Sequence, residues 1–290
     1  MAEKKKKPWW LKLIISLLST ILSIALLFGG LCVFAKVKYD INVFDTFSQI
    51  GQLAKEINPE EKFLNMFSTE DMASAQTAVN NVVPGLIEYS ETDGYSMSST
   101  ISGTMSGDLS LTDKQVGAIL NMLIENQGNT EMNIAGKNFS FSLIQIAFDN
   151  VQEKSVEFNA VVKLDISSIK ESMNFFPANW LARYIPSNIY LSSTVVINKG
   201  ETKFSYSIES KGLTINNLDE KGTASLLKTI NTFIKFASVE ELNNSLGGSF
   251  ANAMIGNAEN AGFAYSLKGL GATDFTFENL GGTNLFIVKK

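Results

Sequence analysis

The feature that most constrains this chain is Leu13–Ala35, a run of 23 residues without a charge and with few polar side chains. At ~1.5 Å per helical residue it spans roughly 34 Å, enough for a hydrocarbon core of about 30 Å. Lys4–Lys7 and Lys12 precede the run, and positive charge holds that side in the cytoplasm. Trp9 and Trp10 suit the headgroup interface, where amphipathic rings are favoured. The reading is a single-pass cell-membrane protein, N-terminus cytoplasmic and C-terminal domain extracytoplasmic. It divides into a basic tail (1–12), a transmembrane anchor (13–35), a helical stalk or cover (36–85) and an α+β domain (86–290).

The run admits two other fates. Val33-Phe34-Ala35 has the small residues of a signal-peptidase site, and cleavage after Ala35 would release the domain. The run is longer than the ~7–15 apolar residues of a signal peptide, which favours retention. Leu27–Cys32 has the outline of a lipobox, but a lipobox carries a small residue where Leu31 stands. Cys32, the single cysteine, is then a small hydrophobe of the anchor.

Beyond the anchor, helical and alternating patterns follow one another. Ile50, Leu53 and Ile57 keep helical spacing until Asn58-Pro59. Ser68 and Asp71 form a capping box for a helix running to about Val83. Tyr95, Met97, Ile101 and Met105 occupy one face of a strand pattern. Thr112 and Gln115 cap a helix carrying Val116, Ile119, Leu120 and Leu123. In Lys137–Phe148 the apolar phase shifts at Leu143 or Ile144, which predicts a bulge.

Val156, Phe158, Ala160, Val162, Leu164 and Ile166 alternate with Glu157, Asn159, Val161, Lys163 and Asp165, as a strand with one dry and one wet face does. Ile189–Ile197 repeats the pattern, and Phe204, Tyr206 and Ile208 continue it after a turn at Asn198-Lys199-Gly200. Short helices are read around Ser168–Phe176 and Ala178–Ile185. A helix follows Asp219, and another starts at the capping pair Ser238 and Glu241, with Gly247-Gly248 expected to loosen it. Short strands are read at Phe263–Leu267, Phe275–Phe277 and Leu285–Val288. Leu111–Lys114 and Leu218–Lys221 open helices in similar ways, which admits either a duplication or chance likeness.

The composition excludes most kinds of catalytic and metal chemistry. The chain has no histidine, so a Ser-His-Asp triad and an imidazole metal site are excluded. One cysteine excludes a disulfide framework and a CxxC pair. No phosphate loop, GxGxxG fingerprint or GxSxG elbow is present. The acidic pairs at Glu60, Asp219 and Glu240 open helices, where negative charge meets the macrodipole. Arg183 is the one arginine, so guanidinium clamps are scarce. A net charge of −5 argues against nucleic acid. The expectation is a protein that is not an enzyme, with no catalytic residue, metal or cofactor.

Twenty phenylalanines punctuate the strands and amphipathic helices. Core packing accounts for any one of them. Taken together on a one-sided sheet, they can also line a groove for an apolar ligand, held at ~0.8 kcal/mol per buried CH₂. The candidate lining is Phe139, Phe141, Phe158, Val162, Phe204 and Tyr206.

The helix opening Leu111-Thr112-Asp113-Lys114-Gln115 with Ile119-Leu120, after a membrane anchor, carries a resemblance. So do the long strands Lys137–Phe148 and Val156–Ile166 and the element Ile185-Pro186-Ser187-Asn188-Ile189-Tyr190. Over residues 95–215 the chain resembles membrane-anchored extracytoplasmic proteins of low-GC Gram-positive bacteria with a TULIP-like or AsmA-like lipid-binding fold. The helices after Asp219 exceed the simplest members. The resemblance implies a curved, mainly antiparallel sheet wrapped around amphipathic helices and enclosing a hydrophobic groove.

Two functions follow. One is a tethered binding or transfer module for a membrane lipid or other apolar envelope molecule. The other is a structural or protein-interaction ectodomain with a fully packed core and an envelope protein partner. Five lysines and one glutamate give residues 1–35 a charge of +4, whereas 19 basic and 28 acidic residues give 36–290 a charge of −9. Anionic headgroups should therefore be repelled by the domain as a whole, leaving an apolar contact.

Overall fold

The computed structural model describes residues 36–38, 40, 42–98, 103–126, 128, 131–134, 137–167, 186–233 and 238–290. The run Leu13–Ala35 and the helices read at Ser168–Phe176 and Ala178–Ile185 lie outside the described residues. Among the described residues no helix is long and apolar enough to cross a membrane. The chain divides into two units, Met1–Gln49 and Ile50–Lys290. In the first, Lys36 and Asp40 pair at 2.6 Å, and helix α1 (Val43–Leu53) begins.

The second unit is α+β, with antiparallel sheets and helices. A short helix α2 (Pro59–Lys62) and α3 (Thr69–Val82) come first. Ser68 and Asp71 close the capping box on α3, and Met72, Ala75 and Val79 bury one stripe of it. A hairpin, β1 (Ile87–Ser90) and β2 (Gly94–Met97), precedes β3 (Leu109–Thr112) and α4 (Asp113–Asn126). The Thr112 hydroxyl accepts from the Gln115 N–H at 3.3 Å, while the Gln115 side chain accepts from the Thr112 N–H at 2.9 Å. Two orphan donors of the first turn are thus satisfied, which fixes where α4 starts.

Five strands then form an open antiparallel sheet in sequence order: β4 (Glu131–Ile134), β5 (Lys137–Asp149), β6 (Ser155–Asp165), β7 (Asn188–Lys199) and β8 (Tyr206–Ile215). Alternation decides its faces. Leu143, Ile146, Phe158, Ala160, Val162, Leu191, Val195 and Leu213 are buried on one. The register shifts between Leu143 and Gln145, leaving Ile144 as the extra residue at the phase change seen in the sequence. A second shift leaves Lys211 unpaired between Val195↔Ser210 and Thr194↔Gly212.

Helix α5 (Glu220–Phe233) packs on β8, α6 (Val239–Met254) crosses β6 to β8, and α4 lies on β5. α6 runs unbroken through Gly247-Gly248 instead of loosening there. A Cβ on Gly247 would stand 2.5 Å from Val195 Cγ1 and 2.8 Å from Ser193 Oγ, so the missing side chain lets helix and sheet approach. Asn243, fully buried on α6, donates to the Thr194 carbonyl at 2.9 Å and to Ser210 Oγ at 2.7 Å. Its own amide oxygen accepts from Ser193 Oγ at 2.6 Å. These bonds satisfy polar groups beside the Lys211 bulge, and they set the register of α6 on the sheet.

The chain ends in α7 (Phe263–Ser266), a 3₁₀ turn to Leu270, β9 (Asp274–Leu280) and β10 (Thr283–Lys289), with β10 between β3 and β9. Phe263–Leu267 is therefore a helical turn rather than the strand its sequence suggests. Phe263, Ala264 and Leu267 are the buried residues, a helical spacing hidden by the alternation of Phe263, Tyr265 and Leu267. Phe275, Phe277 and Phe286 join the two sheets into one core through Phe148, whose ring lies 5.5 Å from Phe277.

Candidate functional site

The turn from β7 to β8 runs longer than the Asn198-Lys199-Gly200 hairpin read in the sequence, because Phe204 stands outside β8 with φ 56°. A bulky residue in the left-handed region is strained. Two contacts hold it. The Phe204 N–H donates to Asp274 Oδ1 at 3.0 Å, and Lys199 pairs with the same carboxylate at 2.7 Å. The Phe204 ring, buried, meets Tyr265 edge-on at 5.3 Å and Phe275 at 6.5 Å. Burial pushes the Asp274 carboxyl up, but the Lys199 bond and charge and the N–H groups of Phe204 and Phe275 outweigh it, leaving the group below the usual carboxylate range.

This turn forms one wall of an open cleft of about 700 Å³. Phe204 and Tyr206 line it with Tyr265, Ala272, Lys203 and Lys268. Tyr206 is half-buried, its hydroxyl donates to Asn252 Oδ1 at 2.8 Å, and burial raises its phenol. The Lys268 ammonium sits 5.1 Å from the centre of the Tyr265 ring, where the ring quadrupole attracts a cation. A second open cleft, about 740 Å³, follows the free edge of β8 and carries Glu209, Lys211, Glu220, Lys221 and Glu240, charges of both signs.

The structure separates the six lining candidates. Phe204 and Tyr206 meet at the first cleft. Phe158 and Val162 are 0% and 1% exposed inside the shared core, with Phe158 against Phe148 at 6.1 Å. Phe141 is half-buried, its ring edge-on to Phe250 of α6 at 6.4 Å. Phe139 lies in β5, paired with Met132, and its side chain lies outside the described part.

The sequence reading missed Tyr265, Lys268, Lys203 and Asp274. The spacing of Tyr265 and Lys268, three residues apart, would have paired them had the segment been read as helical. Among the described residues no group of three or more acidic or cysteine side chains is placed to hold a metal ion. No family model matches the chain, and no curated protein and no solved structure matches it.

Proposed function

We propose that the chain is a membrane-tethered, extracytoplasmic binding module for a lipid or other apolar envelope molecule, held without covalent chemistry. The observation that supports this reading is the cleft of about 700 Å³ to which Tyr206 and Tyr265 present partly exposed rings, with the buried Phe204 packed behind Tyr265. Pockets of roughly 300–1,000 Å³ lined by aromatic groups suit small apolar ligands. In this reading Leu13–Ala35 is the anchor, and the five-stranded sheet curves around α4 and α6 in the TULIP-like or AsmA-like manner. The bulges at Ile144 and Lys211 support curvature, since a bulge bends and twists its strand. The ligand then docks at the end of the sheet rather than between sheet and helices.

One observation favours a second reading, a structural or protein-interaction ectodomain: Phe158 and Val162 are packed as ordinary core. Native mass spectrometry of the full chain, released gently from nanodiscs, separates the two. The binding reading expects a retained lipid-sized adduct that disappears in Ala258→Trp, a substitution at an exposed residue of the cleft wall. A bare chain, with a protein partner recovered by crosslinking in intact cells, establishes the second reading instead.

A further inference from the structure

The aromatic cleft differs in charge from the domain that carries it. Residues 36–290 are net −9, yet among the described residues no carboxylate lines this cleft and two lysines do. Lys203 and Lys268 are both exposed, and neither has a carboxylate partner among the described residues. Asp274 is the carboxylate next to the wall, and it is committed to Lys199 and to the Phe204 N–H. Lys268 is also steadied over Tyr265, so less rotamer freedom is lost when it meets an anion. The strained backbone at Phe204 is a third, independent sign, because strain of this kind concentrates at ligand clamps.

We propose that this cleft takes an anionic amphiphile. A phosphate or carboxylate group lies between Lys203 and Lys268, and the apolar part lies against Tyr206 and Tyr265, the Tyr265 ring being backed by the buried Phe204. The proposal rests on the reading of the chain as a binding module, and adds the charge of what is bound. Charge complementarity carries it: two lysines without a carboxylate partner among the described residues, Lys268 resting on Tyr265, face an opening in an otherwise acidic domain, beside aromatic surface that a ligand would remove from water. The repulsion expected between the acidic domain and anionic headgroups is reversed locally, within the ~8 Å over which charge acts at physiological salt.

The test uses the full chain in phosphatidylcholine nanodiscs, titrated calorimetrically with hexyl phosphate, hexanol and inorganic phosphate. Hexyl phosphate is expected to bind, more weakly as salt rises, with both half-molecules weaker. The double variant Lys203→Ala, Lys268→Ala is expected to lose on the order of tenfold in affinity, with an unchanged melting curve because both side chains are exposed. Nanodiscs containing phosphatidylglycerol distinguish the sources. Weaker apparent hexyl phosphate binding there identifies a bilayer headgroup as the occupant, and unchanged binding identifies a soluble amphiphile. Equal binding of hexanol, or no loss in the double variant, overturns the anionic site. A lipid adduct in the mass spectrum would still stand in that case, so the failure of this proposal is separable from the failure of the binding reading.

Discussion

The β7–β8 hairpin has a residue in left-handed conformation at each end, Asn216 with φ 50° and Phe204 with φ 56°. At the Asn216 end the conformation is easy, since asparagine tolerates it, and every polar group of the side chain is used. Its oxygen accepts from the Tyr190 N–H at 2.7 Å, and its amide donates to the Leu53 carbonyl at 3.0 Å. Lys62 donates to its backbone oxygen. Asn216 therefore fastens the chain around residues 53–62 onto the sheet. At the Phe204 end the residue is a poor choice for its backbone, and it is held by one carboxylate beside an open cleft. One end serves the fold at little local cost. The other keeps strain next to a ligand-sized opening.

The largest effect expected from breaking this contrast is at Asn216. Asn216→Ala leaves the Tyr190 N–H and the Leu53 carbonyl without partners and places alanine in the left-handed region. The expected loss is about 3–5 kcal/mol, from roughly 1–2 for each of the two unpaired groups and ~1 for the backbone. Urea unfolding followed by circular dichroism measures it. A loss under ~1 kcal/mol, the worth of one ordinary bond, means that the clasp does not hold residues 53–62.

The next is a difference between two variants at Phe204. Phe204→Ala and Phe204→Gly both remove the ring, so the step between them isolates the backbone. Glycine accepts a positive φ without a Cβ penalty, and the Gly variant is expected to be the more stable by about 1 kcal/mol. Equal stabilities show that position 204 is not left-handed in solution.

These two positions also show what sequence can and cannot display. Helix starts were legible, because Ser68 with Asp71, Thr112 with Gln115 and Ser238 with Glu241 are local chemistry, complete within four residues. The β6 strand was legible for the same reason, its period visible in one segment. Phe204 alternates with Tyr206 and Ile208 as a strand residue does, and the bonds that keep it in the turn, from Gly200 and Thr202 to Ser205 and from its own N–H to the Asp274 carboxylate 70 residues away, leave no periodic mark in the sequence. Gly247 looks like a weakness in sequence because the Val195 side chain it admits belongs to another element. Asn216 has nothing to mark it among many asparagines. Of the cleft, only the two aromatics on β8's approach were found; its lysines depend on how the C-terminal turn folds back.

A smaller effect tests the clamp on Phe204. Asp274 titrates below the ordinary ~3.9 of an aspartate, so between the two values the unfolded chain binds the proton that the folded chain does not. Its contribution is fully present above about pH 3.9 and is lost as pH falls through the folded value. In Asp274→Asn the melting temperature is expected to decline less steeply with acid over that window, and the wild type's advantage to narrow there. Parallel declines show that the carboxylate is not engaged by Lys199 and the Phe204 N–H.

The smallest effect is expected at the same end of the hairpin, where Lys154 and Glu201 pair at 2.9 Å across the neighbouring turns. Their bond raises the Lys154 ammonium and lowers the Glu201 carboxyl, directions that by themselves would make the pair stabilising. Exposure decides otherwise. The side chains are 63% and 87% exposed, so water and salt at ~0.15 M screen the attraction while both long side chains lose freedom. Lys154→Ala should leave the melting midpoint within experimental error and leave the salt dependence of stability unchanged. A drop of several degrees would place stabilising weight on this turn, and the division between a fastened Asn216 end and a strained, ligand-facing Phe204 end would have to be redrawn.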